Sequence, residues 1–176
     1  MKSAETERFN LSPLVRFTLL TLYLALVLPL PGLAQGNLKL VMASGSLLGL
    51  LFIIAVLGEQ VEVSDEQLLV GYPSWCSWLL KHRWSVRWED MQSLVPVGTS
   101  QGGKVFYIKT KQRNHHLLPQ RIDRFDHFLQ LLHERGGLDT HEVVRLTPAW
   151  TYQLLAGLSI VMLIGETVFS TSLFRS

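Results

Sequence analysis

The sequence has little charge and a single cysteine. Asp, Glu, Lys and Arg make up 17% of its 176 residues, whereas 48% are hydrophobic, and the mean hydropathy is +0.24. This balance is typical of a membrane protein rather than of a soluble domain. The single cysteine, Cys76, excludes an intramolecular disulfide and fits a reducing compartment.

Sequence signals for catalysis are also missing. The chain has no glycine-rich phosphate loop and no serine elbow. None of its six histidines has the spacing that binds a metal from a helix, and Cys76 has no sequence context that would activate a thiol. We interpret Glu89 and Asp90 as turn formers and salt-bridge partners. We therefore expect a protein that is not an enzyme and has no cofactor or metal.

Three stretches without charge each approach the roughly 20 apolar residues that cross a bilayer core. They are Phe17–Leu38, Leu40–Gly58 and Leu146–Gly165. They predict an N-terminal part of residues 1–58 with a transmembrane hairpin (about 14–34 and 39–58), and a third transmembrane helix within residues 146–176. The alternative for the first stretch is a secretory signal cleaved after Ala34. Acidic residues in the leading segment favour a retained helix.

The positive charges predict the orientation. Lys2, Arg8 and Arg16 precede the first span, and eleven Lys or Arg lie between Glu59 and Arg145. The hairpin connection and the C-terminal tail carry one each. Because positive residues favour the cytoplasmic side, we expect the N-terminus and the long middle segment to be cytoplasmic.

The middle segment, residues 59–145, has equal numbers of acidic and basic residues, which argues against nucleic-acid binding. "EQVEVSDEQLLVGYP" predicts two strands around a turn, and Trp84, Val86 and Trp88 alternate as in a half-buried strand. "KVFYIKTK" and "HHLLP" predict further strands. In "RIDRFDHFLQLLHERGG" the apolar residues take helical spacing, and Gly136 is expected to end the helix. The fold class predicted is α+β, with an antiparallel sheet and one amphipathic helix inserted between spans two and three.

This order of parts resembles a bacterial pleckstrin-homology (PH) domain, a bent sheet closed by a C-terminal helix. The resemblance lies in "D-x-x-L-L-V" (Asp65–Val70), "W-E-D-M-Q-S-L" (Trp88–Leu94), "L-L-P" (Leu117–Pro119) and "F-D-H-F-L-Q-L-L" (Phe125–Leu132). It covers about half of the chain. It implies a PH-like domain.

The placement of that domain after a helical hairpin also resembles a photosystem I assembly protein family of chloroplasts and cyanobacteria. That family has a comparable "D-x-Q-S" step, which here is Asp90–Ser93. The resemblance implies an assembly factor in a photosynthetic (thylakoid) membrane, with its sheet domain on the stromal side. The third span, after Pro148, departs from that family's pattern.

Two sets of residues are candidates for contact with a partner or with the membrane. Trp75 and Trp78 fall outside the strand alternation. They fit a headgroup-level anchor, a partner contact, or packing in the core or on the protein's own helices. Basic residues form the other set, which could contact anionic lipid or an acidic partner. The alternative is that they form a solvated strand face without a partner, and the acidic turn "SDEQ" disfavours specific phosphoinositide binding. The set is Lys81, Arg83, Lys109, Lys111 and Arg113.

The second span carries Gly45 and Gly49, four residues apart among other small residues. Small residues at this spacing let helices approach closely, either within the chain or between subunits. Glu166 lies near the end of the third span. An ionisable residue within a span indicates a functional site, but a residue at the end of a span can reach water, which weakens this indication.

We expect a non-enzymatic binding, scaffold or assembly factor. Its partner would be another integral membrane protein or complex. The alternative is a membrane-organising or anionic-lipid-sensing module that uses a basic face of the PH-like domain.

Overall fold

A computed structural model describes residues 6–81, 83–100 and 102–173. They form two compact units. The sheet unit contains residues 6–12 and 58–147, and the helical unit contains residues 13–57 and 148–173. The chain therefore leaves the sheet unit after its first strand, returns after the helical hairpin, and leaves it again before the last helix.

The elements are numbered in chain order. The strands are β1 (Glu7–Asn10), β2 (Gln60–Val63), β3 (Gln67–Gly71), β4 (Trp84–Arg87), β5 (Met91–Gly98), β6 (Lys104–Thr110) and β7 (His115–Leu117). The helices are α1 (Pro13–Val27), α2 (Leu30–Leu33), α3 (Asn37–Val56), α4 (Phe125–Gly136) and α5 (Ala149–Leu173). A single 3-10 turn, Trp88–Asp90, separates β4 from β5.

The described strands form two antiparallel sheets, one ordered β1-β2-β3-β4 and the other β5-β6-β7. The strands and the amphipathic helix predicted between residues 59 and 145 are all present. The apolar alternation predicted for β2 to β4 is the buried face of the first sheet: Val61, Val63, Leu68, Val70 and Val86 are at most 6% exposed. Phe106 and Ile108 from the second sheet and Phe125 and Phe128 from α4 complete the core.

Strand β1 was not predicted. It pairs with β2 in the register Asn10 to Gln60, and on its other side the Asp123 N–H donates to the Asn10 carbonyl at 2.8 Å. Residues 6–12 thus group with the sheet, whereas the sequence assigned them to the part that contains the hairpin. Phe9, 1% exposed, is the side chain that this strand adds to the core. A four-residue strand beside a long apolar run has too few alternating positions to be recognised.

Helix α4 ends at Gly136, as predicted. Gly136 is its last helical residue, and Gly137 takes the left-handed conformation (φ +63°) and donates its N–H to the His133 carbonyl at 3.0 Å. Glycine is suited to this position because it has no Cβ to clash in that region.

In the helical unit, three helical segments among the described residues are long and apolar enough to cross a membrane. They are Pro13–Leu33, which joins α1 and α2, Asn37–Val56 and Ala149–Val168. These bounds lie within three residues of the predicted hairpin and inside the predicted third region. The fully buried Thr18 hydroxyl lies 2.8 Å from the Leu14 carbonyl and 3.1 Å from the Tyr152 carbonyl of α5. It is a polar contact between α1 and α5.

Candidate interaction surfaces

The connection between β3 and β4 exposes large apolar side chains; we call its described residues, 72–81 and 83, the tryptophan loop. Trp75 is 56% exposed, Trp78 is 72% exposed and Leu79 is 45% exposed. The two tryptophans therefore do not fill the core of the sheet unit. Lys81 and Arg83, at the end of the loop, are exposed as well.

The tryptophan loop is held in shape by its own backbone and by one buried residue. The N–H groups of Cys76 and Ser77 donate to the Pro73 carbonyl at 3.1 and 3.0 Å, and that of Leu80 donates to the Cys76 carbonyl at 3.0 Å. Cys76 itself is 1% exposed, so it acts as a small buried hydrophobe. The Trp78 indole N–H donates to the Trp75 carbonyl at 3.0 Å. This compact turn buries the cysteine and presents the two indoles outward.

The other half of the tryptophan-rich stretch is structural. Val86 and Trp88 are buried, and the Trp88 indole N–H donates to the Ser64 carbonyl at 2.9 Å. The half-buried Trp84 stacks on His116 with ring centroids 4.7 Å apart. The alternation of these residues thus corresponds to the core-facing side of the sheet, as predicted.

Tyr72, at the base of the tryptophan loop, has an altered acidity. Burial of the phenol raises its pKa above the ordinary value of 10.0, and the charges of Glu59 and Cys76 raise it further. Burial and negative charge both disfavour the phenolate. Glu59 and Tyr72 flank the paired residues Gln60 and Gly71, so the register places them at the same end of β2 and β3.

The strand register defines two ends of the first sheet. Gln60 lies opposite both Asn10 and Gly71, and Trp84 pairs with the neighbouring Val70. We call this the helix end, because the chain continues from it into α1 and arrives at it from α3. At the distal end lie Glu7, Val63, Gln67 and Arg87. The tryptophan loop, with Lys81 and Arg83, belongs to the helix end.

The other predicted basic residues belong to the distal end. The Lys111 N–H donates to the Asp90 carbonyl at 2.9 Å, and the turn between β6 and β7 borders a polar cleft of about 300 Å³ together with Gln67 and Arg87. Lys111 and Arg113 are exposed on this turn and Lys109 is half-buried beside it. The structure therefore does not bring the five basic residues into one face.

The two glycines of α3 have different surroundings. A Cβ on Gly49 would collide with the Tyr23 hydroxyl of α1, whereas nothing lies within 4 Å of one on Gly45. The Tyr23 hydroxyl also donates to the Ser46 carbonyl at 2.7 Å. Gly49 thus makes room for a contact within the chain, and Gly45 faces open space. Sequence reasoning missed Tyr23, because a lone tyrosine in an apolar run has no distinguishing pattern.

Glu166 is half-buried, and its Oε2 is buried without a hydrogen-bond partner among the described residues. Across all the residues that the structure describes, no group of three His, Cys, Asp or Glu is placed to hold a metal ion.

The two antiparallel sheets and the apolar helices define an α+β protein with the features of a membrane protein. An uncharacterized protein of the cyanobacterium Synechocystis is 40% identical to the chain over 153 residues, which are 84% of this chain and 77% of the relative. The chain belongs to the family of that Synechocystis protein. No protein-family model matches the chain, and no solved structure matches it.

Proposed function

We propose that the protein is a non-enzymatic scaffold or assembly factor that holds another integral membrane protein. The observation that carries this proposal is the open face of α3 at Gly45. Only 6% of the apolar stretch of α3 is buried. On the same face as Gly45, Val41 is 61% exposed and Leu48 is 67% exposed.

Gly45 is suited to receive a helix from another protein. Without a side chain, it lets a second backbone approach closely, and such approach is a main source of helix association in lipid. Gly49 packs against Tyr23 within the hairpin. Gly45 is therefore the glycine that is available to a helix from another protein. The partner's chemistry is that of an apolar transmembrane helix with small residues at the contact.

The sheet unit gives this scaffold its second part, and we infer that it is PH-like. Sheets of four and three antiparallel strands with one C-terminal helix fit the order of parts in such domains. Here the first strand comes from before the hairpin, so the hairpin is inserted between β1 and β2.

The pairing of β1 with β2 supports the orientation that the charges predict. Asn10 and Gln60 are neighbours in the ladder, so the chain between them must return to the side from which it departs. A hairpin that crosses the membrane twice meets this condition. With positive residues inside, the N-terminus and the sheet unit are cytoplasmic. Cleavage after Ala34 would remove β1 and Phe9 from the core, which favours a retained first span.

The setting we propose is a photosynthetic membrane, with the sheet unit on the stromal side of a thylakoid. Two observations support it: the resemblance to a photosystem I assembly family, and a relative from a cyanobacterium. The partner is then a membrane complex of the photosynthetic apparatus.

The test is co-migration in mild detergent. The tagged protein is expected to run with a larger complex on native gels, and Gly45→Leu to release it because the side chain blocks the helix contact. Gly157→Leu on α5 is the matched control, since Gly157 also has nothing within 4 Å of its Cβ position. Migration of the wild type only as a free monomer, or equal behaviour of the two variants, contradicts the proposal.

A further inference from the structure

Short covalent connections join the helix end of the sheet to the predicted spans. Only Leu11 and Ser12 separate Asn10 of β1 from Pro13, the first residue of the first span. Since an extended chain covers at most about 3.5 Å per residue, Asn10 lies within roughly 10 Å of the start of that span. On the other side of the hairpin, Gln60 follows the last residue of α3 by four positions.

The tryptophan loop leaves the sheet from this same end. Gly71 shares the partner Gln60 with Asn10, and adjacent strands are about 4.8 Å apart. The loop therefore begins about two strand spacings, or roughly 10 Å, from the strand that leads into the first span. The raised pKa of Tyr72, in part from Glu59, agrees with this placement.

The surface of the loop has the chemistry of a membrane interface rather than of water. Two exposed indoles project from a turn held by backbone hydrogen bonds, so little backbone freedom is lost when they are buried. Exposed Lys81 and Arg83 follow within a few residues. Tryptophan is enriched at the headgroup level of membranes, and cationic side chains there meet anionic headgroups.

We propose that the tryptophan loop inserts Trp75 and Trp78 into the headgroup region of the membrane that the helices cross. It is a third attachment of the sheet unit to the bilayer, besides its covalent links to the hairpin and to α5. The occupant is lipid, not another protein. This proposal is independent of the scaffold role, because it holds in a membrane that contains this chain alone.

The experiment uses the full chain in nanodiscs of phosphatidylcholine and phosphatidylglycerol, with no other protein present. Phosphatidylcholine brominated near the headgroup is expected to quench Trp75 and Trp78 together with Trp150 at the start of α5. In the Trp75→Phe/Trp78→Phe variant, the fluorescence that the lipid quenches should fall to the part contributed by Trp150. Adding Trp150→Phe to this variant measures that part. Trp84→Phe is the matched control, since Trp84 lies at the same end of the sheet but stacks on His116.

A second measurement needs no variant. Aqueous iodide should quench the wild-type protein less in nanodiscs than in a short-chain detergent that leaves the loop uncovered. Equal iodide quenching of the wild-type protein in nanodiscs and in the detergent would overturn the proposal, and it is the result expected if the loop docks on a missing protein partner. Equal lipid quenching of the wild type and the double variant would overturn it as well.

Discussion

The ring of Phe9 packs edge-on against the ring of Phe128, with centroids 5.6 Å apart and an interplanar angle of 61°. One ring precedes the first span and the other belongs to α4, after the seventh strand. Both are almost fully buried. The core of the sheet unit is therefore completed by one residue that precedes the hairpin in the sequence and one that follows it.

Phe9→Ala should destabilise the sheet unit strongly, because it empties a site in the core. The expected loss in the free energy of unfolding is about 3–5 kcal/mol, measured by denaturant titration of the full chain in detergent micelles with tryptophan fluorescence. Arg8→Ala is the control. Arg8 pairs with Glu62 at 3.0 Å, but its side chain is 67% exposed, and such pairs contribute at most about 1 kcal/mol. Equal losses in the two variants would mean that β1 adds nothing to the core.

Residues 58–147 alone should fail to fold, since they lack β1. A variant in which a short Gly/Ser linker replaces residues 13–57 should fold, because Asn10 and Gln60 are already adjacent in an antiparallel pair and need only a hairpin connection. Amide dispersion in NMR spectra of the two proteins distinguishes these outcomes. A folded spectrum for residues 58–147 without β1 would contradict the prediction.

Gly49→Ala should weaken the packing of α1 on α3, since its Cβ occupies the place of the Tyr23 hydroxyl. Tyr23 must then give up its bond to the Ser46 carbonyl, at a cost of about 0.6–2 kcal/mol. In a Tyr23→Phe background the same change should cost less, and the double-mutant cycle should report this coupling.

The unfolding free energies of the four proteins in this cycle are measured in detergent by steric trapping. Gly45→Ala is the control and should be neutral, because nothing lies near its Cβ position. Additive effects of the Gly49 and Tyr23 changes would show that the two residues do not share a contact.

The stability of the sheet unit should fall at alkaline pH because of Tyr72. Its pKa is raised in the folded protein above 10.0 by burial, and further by Glu59 and Cys76. The unfolded chain therefore loses this proton first. The stabilisation that Tyr72 gives the folded state is present in full below pH 10.0, and it is lost as the pH rises through the pKa of Tyr72 in the folded protein.

Tyr72→Phe should remove that part of the pH dependence, and Glu59→Gln should lower the pKa of Tyr72 toward the ordinary value. The measurements are unfolding curves at increasing pH and tyrosinate absorbance. An unchanged alkaline slope in Tyr72→Phe would rule this residue out as its source.

Patterns within one element were predictable, and relationships between elements were not. Trp84 and Val86 alternate within β4, and Trp88 continues the alternation into the turn that follows, so their side of the sheet follows from local sequence. Trp75 and Trp78 are as apolar as the core tryptophans, and only the surrounding turn determines that they face outward. The basic residues appeared to form one set because they are near in sequence, yet the register places Lys81 at one end of the sheet and Lys111 at the other.

The position of β1 also sets the order of events during synthesis. Translation makes β1 first and α4 only after both hairpin helices and the other strands, at roughly 5–20 residues per second. Phe9 must therefore wait on the order of ten seconds for Phe128, while the helices between them enter the membrane. A chain in which only one of the two hairpin helices crosses the membrane leaves β1 and β2 on opposite sides of the bilayer and the sheet unit open. The folded sheet is thus a built-in checkpoint for correct insertion, and quality-control proteases would recognise its failure as an exposed strand edge.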